Sequence, residues 1–192
     1  MRRLLIATNN AGKVRELKAI MDGFYDELMS LKDLDLELHT VEDGDTFEAN
    51  AVKKALEAAE AAGCDALADD SGLCVEALGG APGVYSARYA GEDATDEENN
   101  VKLLAAMAGI SDRRAKFVSV VALVSNGVVT TAYGEAHGVV AHEPRGTNGF
   151  GYDPLFYVPE LGQTFAEIPS ERKHAMSHRS RAFAALRDKL SV

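Results

Sequence analysis

The segment from Thr8 to Lys13 has residue types and spacing suited to holding phosphate oxygens. It follows a short apolar run and precedes a helical pattern, so backbone N–H groups and the positive end of the helix dipole would face into the turn. Lys13 adds a full positive charge. A P-loop is excluded, because Ala7 and Val14 stand where that motif requires Gly and Ser or Thr. A capped turn with a solvated lysine is the alternative. The candidate phosphate-binding residues are Thr8, Asn9, Asn10, Ala11, Gly12 and Lys13.

A second candidate site is the acidic pair Asp69 and Asp70, followed by Ser71 and Gly72. We predict a brief strand over 66–69 with the pair at its end, so the two carboxylates would point to different sides. One could bind a metal ion while the other is held by donors or positions water. Mg²⁺ prefers one or two carboxylates together with water and phosphate oxygens, and Glu42 is the candidate second ligand. An ordinary Asp-Ser-Gly turn is the alternative, although two buried acids without a role would be costly.

A third candidate site is the glycine-rich loop over 145–152 and the residue after it. Its glycines would free the ring of Phe150 to stack, and Asp153 offers an acceptor, which together suit a nucleobase. A structural hairpin rich in core aromatics is the alternative. The candidate base-side residues are Phe150, Gly151, Tyr152 and Asp153.

Basic residues form the fourth candidate site, near the start of the last predicted helix. Lys173 and Arg179 would oppose the helix dipole there unless an anion compensates. A solvated basic surface is the alternative.

Helices alternating with strands, plus one long hairpin, predict an α/β protein with a mixed sheet flanked by helices. We expect a helix over 11–22 and another that Asp45 caps, with Glu48 at the capping-box position, ending at Gly63. Thr95 with Glu98 predicts a third helix by the same motif.

The second half of the chain is predicted to be richer in strands. Asn126-Gly127 is a strong hairpin signal between strands at 116–124 and 128–140. The segment 154–158 should be extended. A last helix should cover 175–190, with Phe183, Leu186 and Leu190 facing inward.

Composition indicates one globular domain over residues 1–192. The chain is 46% hydrophobic and 26% charged, and no apolar run approaches the roughly 20 residues that span a bilayer. The net charge of −10 argues against a nucleic-acid-binding protein. Two cysteines form neither a disulfide scaffold nor a zinc site. We therefore expect a cytoplasmic protein without nucleic-acid or membrane partners.

Seven motifs in register resemble the inosine triphosphate pyrophosphatase family, especially its bacterial branch. They cover nearly the whole chain, and together they are far more specific than any one alone. The motifs are residues 8–13 with Glu16, 46–50 (TFEAN), 68–72 (ADDSG), 78–83 (LGGAPG), 85–89 (YSARY), 150–153 (FGYD) and 177–179 (SHR).

The resemblance implies an elongated sheet in two lobes with the active site in a central cleft, a homodimer, and Mg²⁺-dependent hydrolysis. The implied substrates are ITP, dITP and XTP, and the products are the monophosphate and pyrophosphate. Asp70 would be the general base and, with Glu42, would hold the metal. The resemblance also implies the substrate contacts. Residues 8–13 and Lys173 would hold the phosphates, and Ser71 would contact the substrate. Residues 150–153, with His178 and Arg179, would hold the base.

The sequence leaves three alternative functions open. A related pyrophosphatase could act on other modified nucleotides, such as methylated pyrimidine nucleotides. A non-catalytic nucleotide sensor could bind through the same loops, although the acidic pair favours an enzyme. A phosphoacceptor domain also uses an acidic pair, but the hairpin at Asn126-Gly127 does not suit its all-parallel sheet.

Overall fold

A computed structural model describes residues 1–190 as a mixed sheet with helices. Seven strands form one sheet in the order β2-β1-β3-β4-β5-β6-β7. Strand β1 pairs in parallel with β2 and β3, whereas β5, β6 and β7 pair antiparallel. The strands are β1 Arg3–Ile6, β2 Glu27–Ser30, β3 Asp65–Val75, β4 Arg114–Ser125, β5 Val128–Val140, β6 Phe156–Val158 and β7 Gln163–Thr164. The helices are α1 Ala11–Met21, α2 Phe47–Ala62, α3 Asp96–Ala106, α4 Ser170–Met176 and α5 His178–Leu190. The predicted α/β class with a mixed sheet is confirmed.

The chain divides into two compact units. The first unit comprises Met1–Asp70, Ser119–Gly134 and the chain from Arg179 onward. The second unit comprises Ser71–Val118 and Glu135–His178. The expectation of a cleft between two lobes stays a prediction.

The first unit buries apolar residues on both faces of β1. Leu4 and Ile6 pack with Leu17 of α1 and Phe183 of α5, while Leu5 packs with the alanines of α2. Successive residues of a strand point to opposite faces, so this alternation places α2 against one side and α1 with α5 against the other. Both α1 and α2 are thereby packed against β1, on opposite faces.

Aromatic rings form the centre of the second unit. The Phe117 ring lies near those of Phe156 and Phe165, with ring centroids 4.5 and 5.8 Å away. Such ring pairs add about 0.5–1.5 kcal/mol each beyond the area they bury. This cluster anchors the strands on either side of the loop over 145–152.

The acidic pair lies within a strand and not at the end of one, which corrects the predicted brief strand over 66–69. Strand β3 continues to Val75, so Asp69 and Asp70 sit near its middle. Asp, Ser and Gly favour turns locally, but Leu73 and Val75 are buried in the core of the second unit and extend the strand.

Three further predictions need correction. Helix α2 is capped by Thr46, not Asp45, because the Thr46 hydroxyl accepts the Ala49 N–H at 3.1 Å. The predicted last helix is two helices separated by an extended Ser177, and Leu190 is about half exposed. The segment predicted to be extended begins with a 3-10 turn over Asp153–Leu155.

Other local predictions are confirmed. Helix α1 spans nearly the predicted residues, and α2 ends at Gly63. Thr95 and Glu98 form both hydrogen bonds of a capping box. Asn126 and Gly127 have positive φ angles of 50° and 76° and join β4 to β5. Among residues 1–190, none of the helices is long and apolar enough to cross a membrane.

The glycine-rich loop is held against the chain near Ala166, whose carbonyl accepts the N–H groups of Thr147 and Asn148. Gly146 has a φ of 86°, and a Cβ there would overlap the backbone of Ala166 and Glu167. Gly79 also has a positive φ, but a Cβ there would meet no atom within 4 Å.

We predict that Gly146→Ala destabilises the protein much more than Gly79→Ala. Gly79→Ala should cost about 1–2 kcal/mol, the usual penalty for a left-handed residue with a side chain. Gly146→Ala should cost about 3 kcal/mol or more, because the backbone clash is added. Urea unfolding of both variants measures the difference, and equal losses would show that the loop does not pack against Ala166.

Candidate active site

The turn between β1 and α1 is built by its own side chains. The Asn10 side chain accepts the N–H of Lys13 at 3.1 Å, and Thr8 Oγ1 accepts the N–H of Asn10 at 3.2 Å. Asn9 Nδ2 donates to the carbonyl of Leu38 at 3.1 Å. The turn is therefore rigid, and it places Lys13 in the first turn of α1 as predicted.

The Lys13 side chain points to a buried carboxylate. Its Nζ lies 3.1 Å from Asp69 Oδ2, and the Asp69 side chain has no solvent exposure. Arg179 Nε contacts the same oxygen at 3.2 Å, and Arg179 Nη1 contacts Glu16 Oε2 at 2.9 Å. Buried charges are stable only when paired with good geometry. This network of Lys13, Asp69, Arg179 and Glu16 therefore ties α1 and α5 to β3.

A second charged group in the first unit surrounds Asp70. Lys54 Nζ lies 2.9 Å from Glu42 Oε1 and 3.6 Å from Asp70 Oδ1. Asn50 Nδ2 donates to Asp70 Oδ2 at 3.1 Å, and the Asn50 side chain is itself completely buried. Both of the predicted metal ligands, Glu42 and Asp70, are thus brought to one ammonium group.

The two adjacent aspartates have opposite pKa shifts. Burial raises the pKa of Asp70, and the nearby charges of Lys54 and Lys13 only partly offset this. Burial also acts on Asp69, but the charges of Lys13, Arg179 and Lys54 outweigh it, and the pKa of Asp69 falls well below its usual range. Asp69 is therefore ionised at neutral pH, whereas Asp70 holds a proton more readily than an ordinary aspartate.

The lysines of the site respond to the same surroundings. Burial lowers the pKa of Lys13, and the charge of Asp69 only partly opposes this. Burial also acts to lower the pKa of Lys54, but the charges of Asp70, Asp69 and Glu42 reverse the effect, so that this pKa is raised. Asp70 and Lys13 each shift the pKa of the other, so they act in one electrostatic field.

The donor set around Asp70 fits Mg²⁺. Glu42 and Asp70 supply hard carboxylate oxygens, and the Lys54 ammonium lies within 4 Å of both. Among residues 1–190, no group of three or more His, Cys, Asp or Glu side chains could hold a metal ion. Mg²⁺ here would thus need its remaining ligands from water and substrate phosphates, which is its common mode of binding.

The base-side residues of the sequence prediction form a separate cluster in the second unit. Asp153 Oδ2 accepts from Lys173 Nζ at 2.6 Å and from the Phe150 N–H at 3.2 Å. The Lys173 ammonium also lies 5.0 Å from the centre of the half-buried Phe150 ring. Lys173 was predicted to hold phosphates, but in this structure its ammonium is paired with Asp153.

Two other predicted base-side residues are largely built into the core. The Tyr152 hydroxyl donates to the Ser86 carbonyl at 2.6 Å, and burial raises the pKa of Tyr152. The His178 ring stacks on Phe117 with centroids 4.8 Å apart. The backbone of Gly151 donates to Asp96 and accepts from Asn100. Base contacts by these residues and by Arg179, and a substrate contact by the half-buried Ser71, stay predictions.

Three residues of the first-unit networks had no role predicted from the sequence: Asn50, Lys54 and Glu16. Asn50 and Lys54 lie four residues apart on α2, and Lys13 and Glu16 lie three apart on α1. Each pair therefore shares a helix face. One signal in the sequence could have indicated these residues. They are polar residues, at this spacing, on the face of each helix that is otherwise apolar and buried. The partners of Asp69 leave no local pattern, because Arg179 is 110 residues away.

We predict that Asp69→Asn lowers the free energy of unfolding by about 3–5 kcal/mol at neutral pH, because Lys13 and Arg179 lose their buried counter-charge. The folded-state pKa of Asp69 is lowered, so its contribution is complete above about pH 4, the usual range of an unfolded Asp. The contribution is then lost as the pH falls through the folded-state pKa.

Denaturant unfolding from pH 7 to pH 2 measures this, with Asp43→Asn as control. Asp43 is an exposed acid paired with Lys53 at 2.8 Å, and its replacement should cost far less. A loss for Asp69→Asn that matches the control, or one that persists undiminished at the lowest pH, would contradict the prediction.

Comparison with known proteins agrees with the motifs. A model of the Ham1 family matches residues 4–189. A protein of Geobacter sulfurreducens named dITP/XTP pyrophosphatase is 55% identical, covering 99% of this chain and 97% of its own. One of Yersinia pseudotuberculosis with the same name is 48% identical, covering 99% and 98%.

Solved structures give the same result for the fold. The Ham1 protein of Staphylococcus aureus superposes with a TM-score of 0.87 at 42% identity, covering 99% of this chain and 98% of its own. A HAM1 protein from Coxiella burnetii superposes with a TM-score of 0.88 at 41% identity, covering 100% and 99%. The family resemblance drawn from the seven motifs is confirmed: this chain belongs to the Ham1 family.

Proposed function

We propose that this chain is a Mg²⁺-dependent pyrophosphatase that hydrolyses the deaminated purine nucleotides dITP, ITP and XTP to the monophosphate and pyrophosphate. The observation that carries the proposal is the pair Asp69 and Asp70, one ionised against Lys13 and the other held beside Lys54 with a raised pKa. The names of the relatives support the substrate class and favour an enzyme over a nucleotide sensor.

Asp70 is the proposed general base. Hydrolysis that releases pyrophosphate would form a bond from water oxygen to the α-phosphorus and break the bond from that phosphorus to the bridging oxygen. The water proton would pass to an oxygen of Asp70. A raised pKa suits this role, because a base is most effective when its pKa approaches the working pH. Asn50 fixes the orientation of the carboxylate by donating to Oδ2 at 3.1 Å.

Positive charge for the triphosphate would come from Lys13 and the amino-terminal end of α1. Lys13 is held 3.1 Å from Asp69, so its position is set before substrate arrives, and little ordering would remain to be done. Mg²⁺ held by Glu42 and Asp70 would neutralise charge on the departing pyrophosphate. Lys173 is the further proposed phosphate contact, and Ser71 a further substrate contact.

Base selection would follow from matching donors and acceptors. Hypoxanthine and xanthine present an acceptor at O6 and a donor at N1, whereas adenine presents the reverse. Donors from Arg179, His178 and the backbone of 150–152, with Asp153 as acceptor, would pair with the first pattern. Adenine would leave buried polar groups unpaired, which can cost a factor of about 10⁴. Guanine shares O6 and N1–H, so its rejection would depend on the 2-amino group.

Two other expectations are part of the same proposal. They are a homodimer, which the resemblance implies, and a cytoplasmic location. Both stay predictions.

We predict that Asp70→Asn lowers kcat for ITP by about 10²–10⁴-fold, the usual contribution of a positioned general base. Asparagine keeps the size of the side chain, so the fold should be retained. Steady-state release of pyrophosphate measures kcat, and circular dichroism checks the fold. Asp43→Asn is the matched control and should keep the wild-type rate. A folded Asp70→Asn variant with most of its kcat would remove Asp70 from the chemistry.

We further predict that kcat/KM for ITP and XTP exceeds that for ATP by about 10⁴-fold, and that omitting Mg²⁺ abolishes pyrophosphate release. A panel of ITP, dITP, XTP, GTP, ATP and methylated pyrimidine nucleotides, each with and without Mg²⁺, measures both effects. Equal values across the panel would defeat the proposed specificity. A marked preference for methylated pyrimidines would favour the related pyrophosphatase considered above.

A further inference from the structure

The ammonium group of Lys54 lies beside the two carboxylates that are the proposed ligands of a divalent cation. It is 2.9 Å from Glu42 Oε1 and 3.6 Å from Asp70 Oδ1, and only 13% of its side chain is exposed. These are the same two carboxylates that the proposed function gives to Mg²⁺. The position between Glu42 and Asp70 thus has two candidate cations, the Lys54 ammonium and a divalent metal ion.

The surroundings keep both carboxylates close to this position. Asn50 donates to Asp70 and also accepts the N–H of Gly44 at 2.8 Å, in the loop that carries Glu42. The approach is tight, because a Cβ on Gly44 would lie 2.6 Å from Asn50 Oδ1. Asn50 and Lys54 share a face of α2, so one helix face fixes both the loop and the strand that carry the acids. Asn50 therefore ties the loop that carries Glu42 to the strand that carries Asp70.

Lys54 and a divalent ion cannot both remain between these carboxylates. Two like charges about 4 Å apart repel strongly at a protein site of reduced dielectric. Without any cation, Glu42 and Asp70 would instead repel each other. A cation must therefore stay beside the buried carboxylate of Asp70 at every stage. The Lys54 ammonium would supply this charge first, and the metal ion would supply it later.

We propose that Lys54 is an internal counter-ion that holds Glu42 and Asp70 together before metal binds, and that the divalent cation must displace it to enter. The inference rests on the proposed function, because it uses the same two ligands. Its consequence is that Lys54 sets the affinity for metal of the nucleotide-free protein. Once displaced, the ammonium no longer contacts the two carboxylates.

Mn²⁺ binding to the nucleotide-free protein tests the inference without any assay of activity. The electron paramagnetic resonance signal of free Mn²⁺ reports how much metal is bound. Lys54→Met keeps the length of the side chain and removes its charge, and should bind Mn²⁺ about tenfold more tightly or more. Lys53→Met is the matched control, because Lys53 pairs with the exposed Asp43 at 2.8 Å and is not in the site. Its affinity for Mn²⁺ should stay within about twofold of the wild-type value.

A measurement on the wild-type protein covers the case in which Lys54→Met does not fold. Acylation of lysines by an N-hydroxysuccinimide ester, located by mass spectrometry, should be slow at Lys54 without metal. It should accelerate several-fold when Mg²⁺ is added, whereas acylation of Lys53 should not change. An unchanged rate at Lys54 would overturn the inference.

The outcomes separate this inference from the proposed function. The role of Lys54 would be overturned if the wild-type protein bound Mn²⁺ as tightly as the Lys54→Met variant does. It would also be overturned if neither protein bound Mn²⁺. Neither result touches hydrolysis of ITP, which is measured separately. Hydrolysis of ITP that proceeds without any divalent ion would instead overturn the metal requirement of the proposed function.

Discussion

The opposite surroundings of two adjacent aspartates on β3 are the constraint on which the rest of the site depends. Neighbouring residues of a strand face opposite sides, so Asp69 and Asp70 meet different partners. Asp69 meets Lys13 and Arg179 and stays ionised, whereas the pKa of Asp70 is raised by burial. Groups whose environments push their pKa values apart can divide roles between them. One acid is then structural and electrostatic, and the other is available for proton transfer.

The structural acid explains why the site is built from distant segments. Asp69 is completely buried, so it requires cations from elsewhere, and it obtains them from α1 and α5. The contact with Asp69 also fixes the ammonium group of Lys13, which belongs to the first turn of α1. The divisions between the two compact units fall at Asp70–Ser71 and at His178–Arg179, within two of the predicted site segments. The first unit contains the proposed phosphate-binding residues 8–13 together with Arg179, and the second contains residues 150–153, Lys173 and His178.

Local patterns in the sequence predicted the parts of the structure that local interactions determine. The capping box at Thr95 and the Asn126-Gly127 turn are such cases, since their partners lie within a few residues. The strand end predicted at the acidic pair was wrong, because burial of Leu73 and Val75 extends the strand through residues that favour turns. The pairing of Arg179 with Asp69 and the position of Lys54 between two acids depend on tertiary contacts. The motifs contain Arg179, Asp69 and Glu16 but do not predict that these residues pair, and they gave Lys54 no role.

The central claim is that Asp70 and Lys13 act on one triphosphate. The most direct measurement is a crystal structure of the wild-type protein with Mg²⁺ and a hydrolysis-resistant ITP analogue. The account predicts a cation in contact with Glu42, Asp70 and a phosphate oxygen, with the Lys13 ammonium on the same triphosphate. A triphosphate bound away from Asp70, or one that Lys13 does not contact, would contradict it.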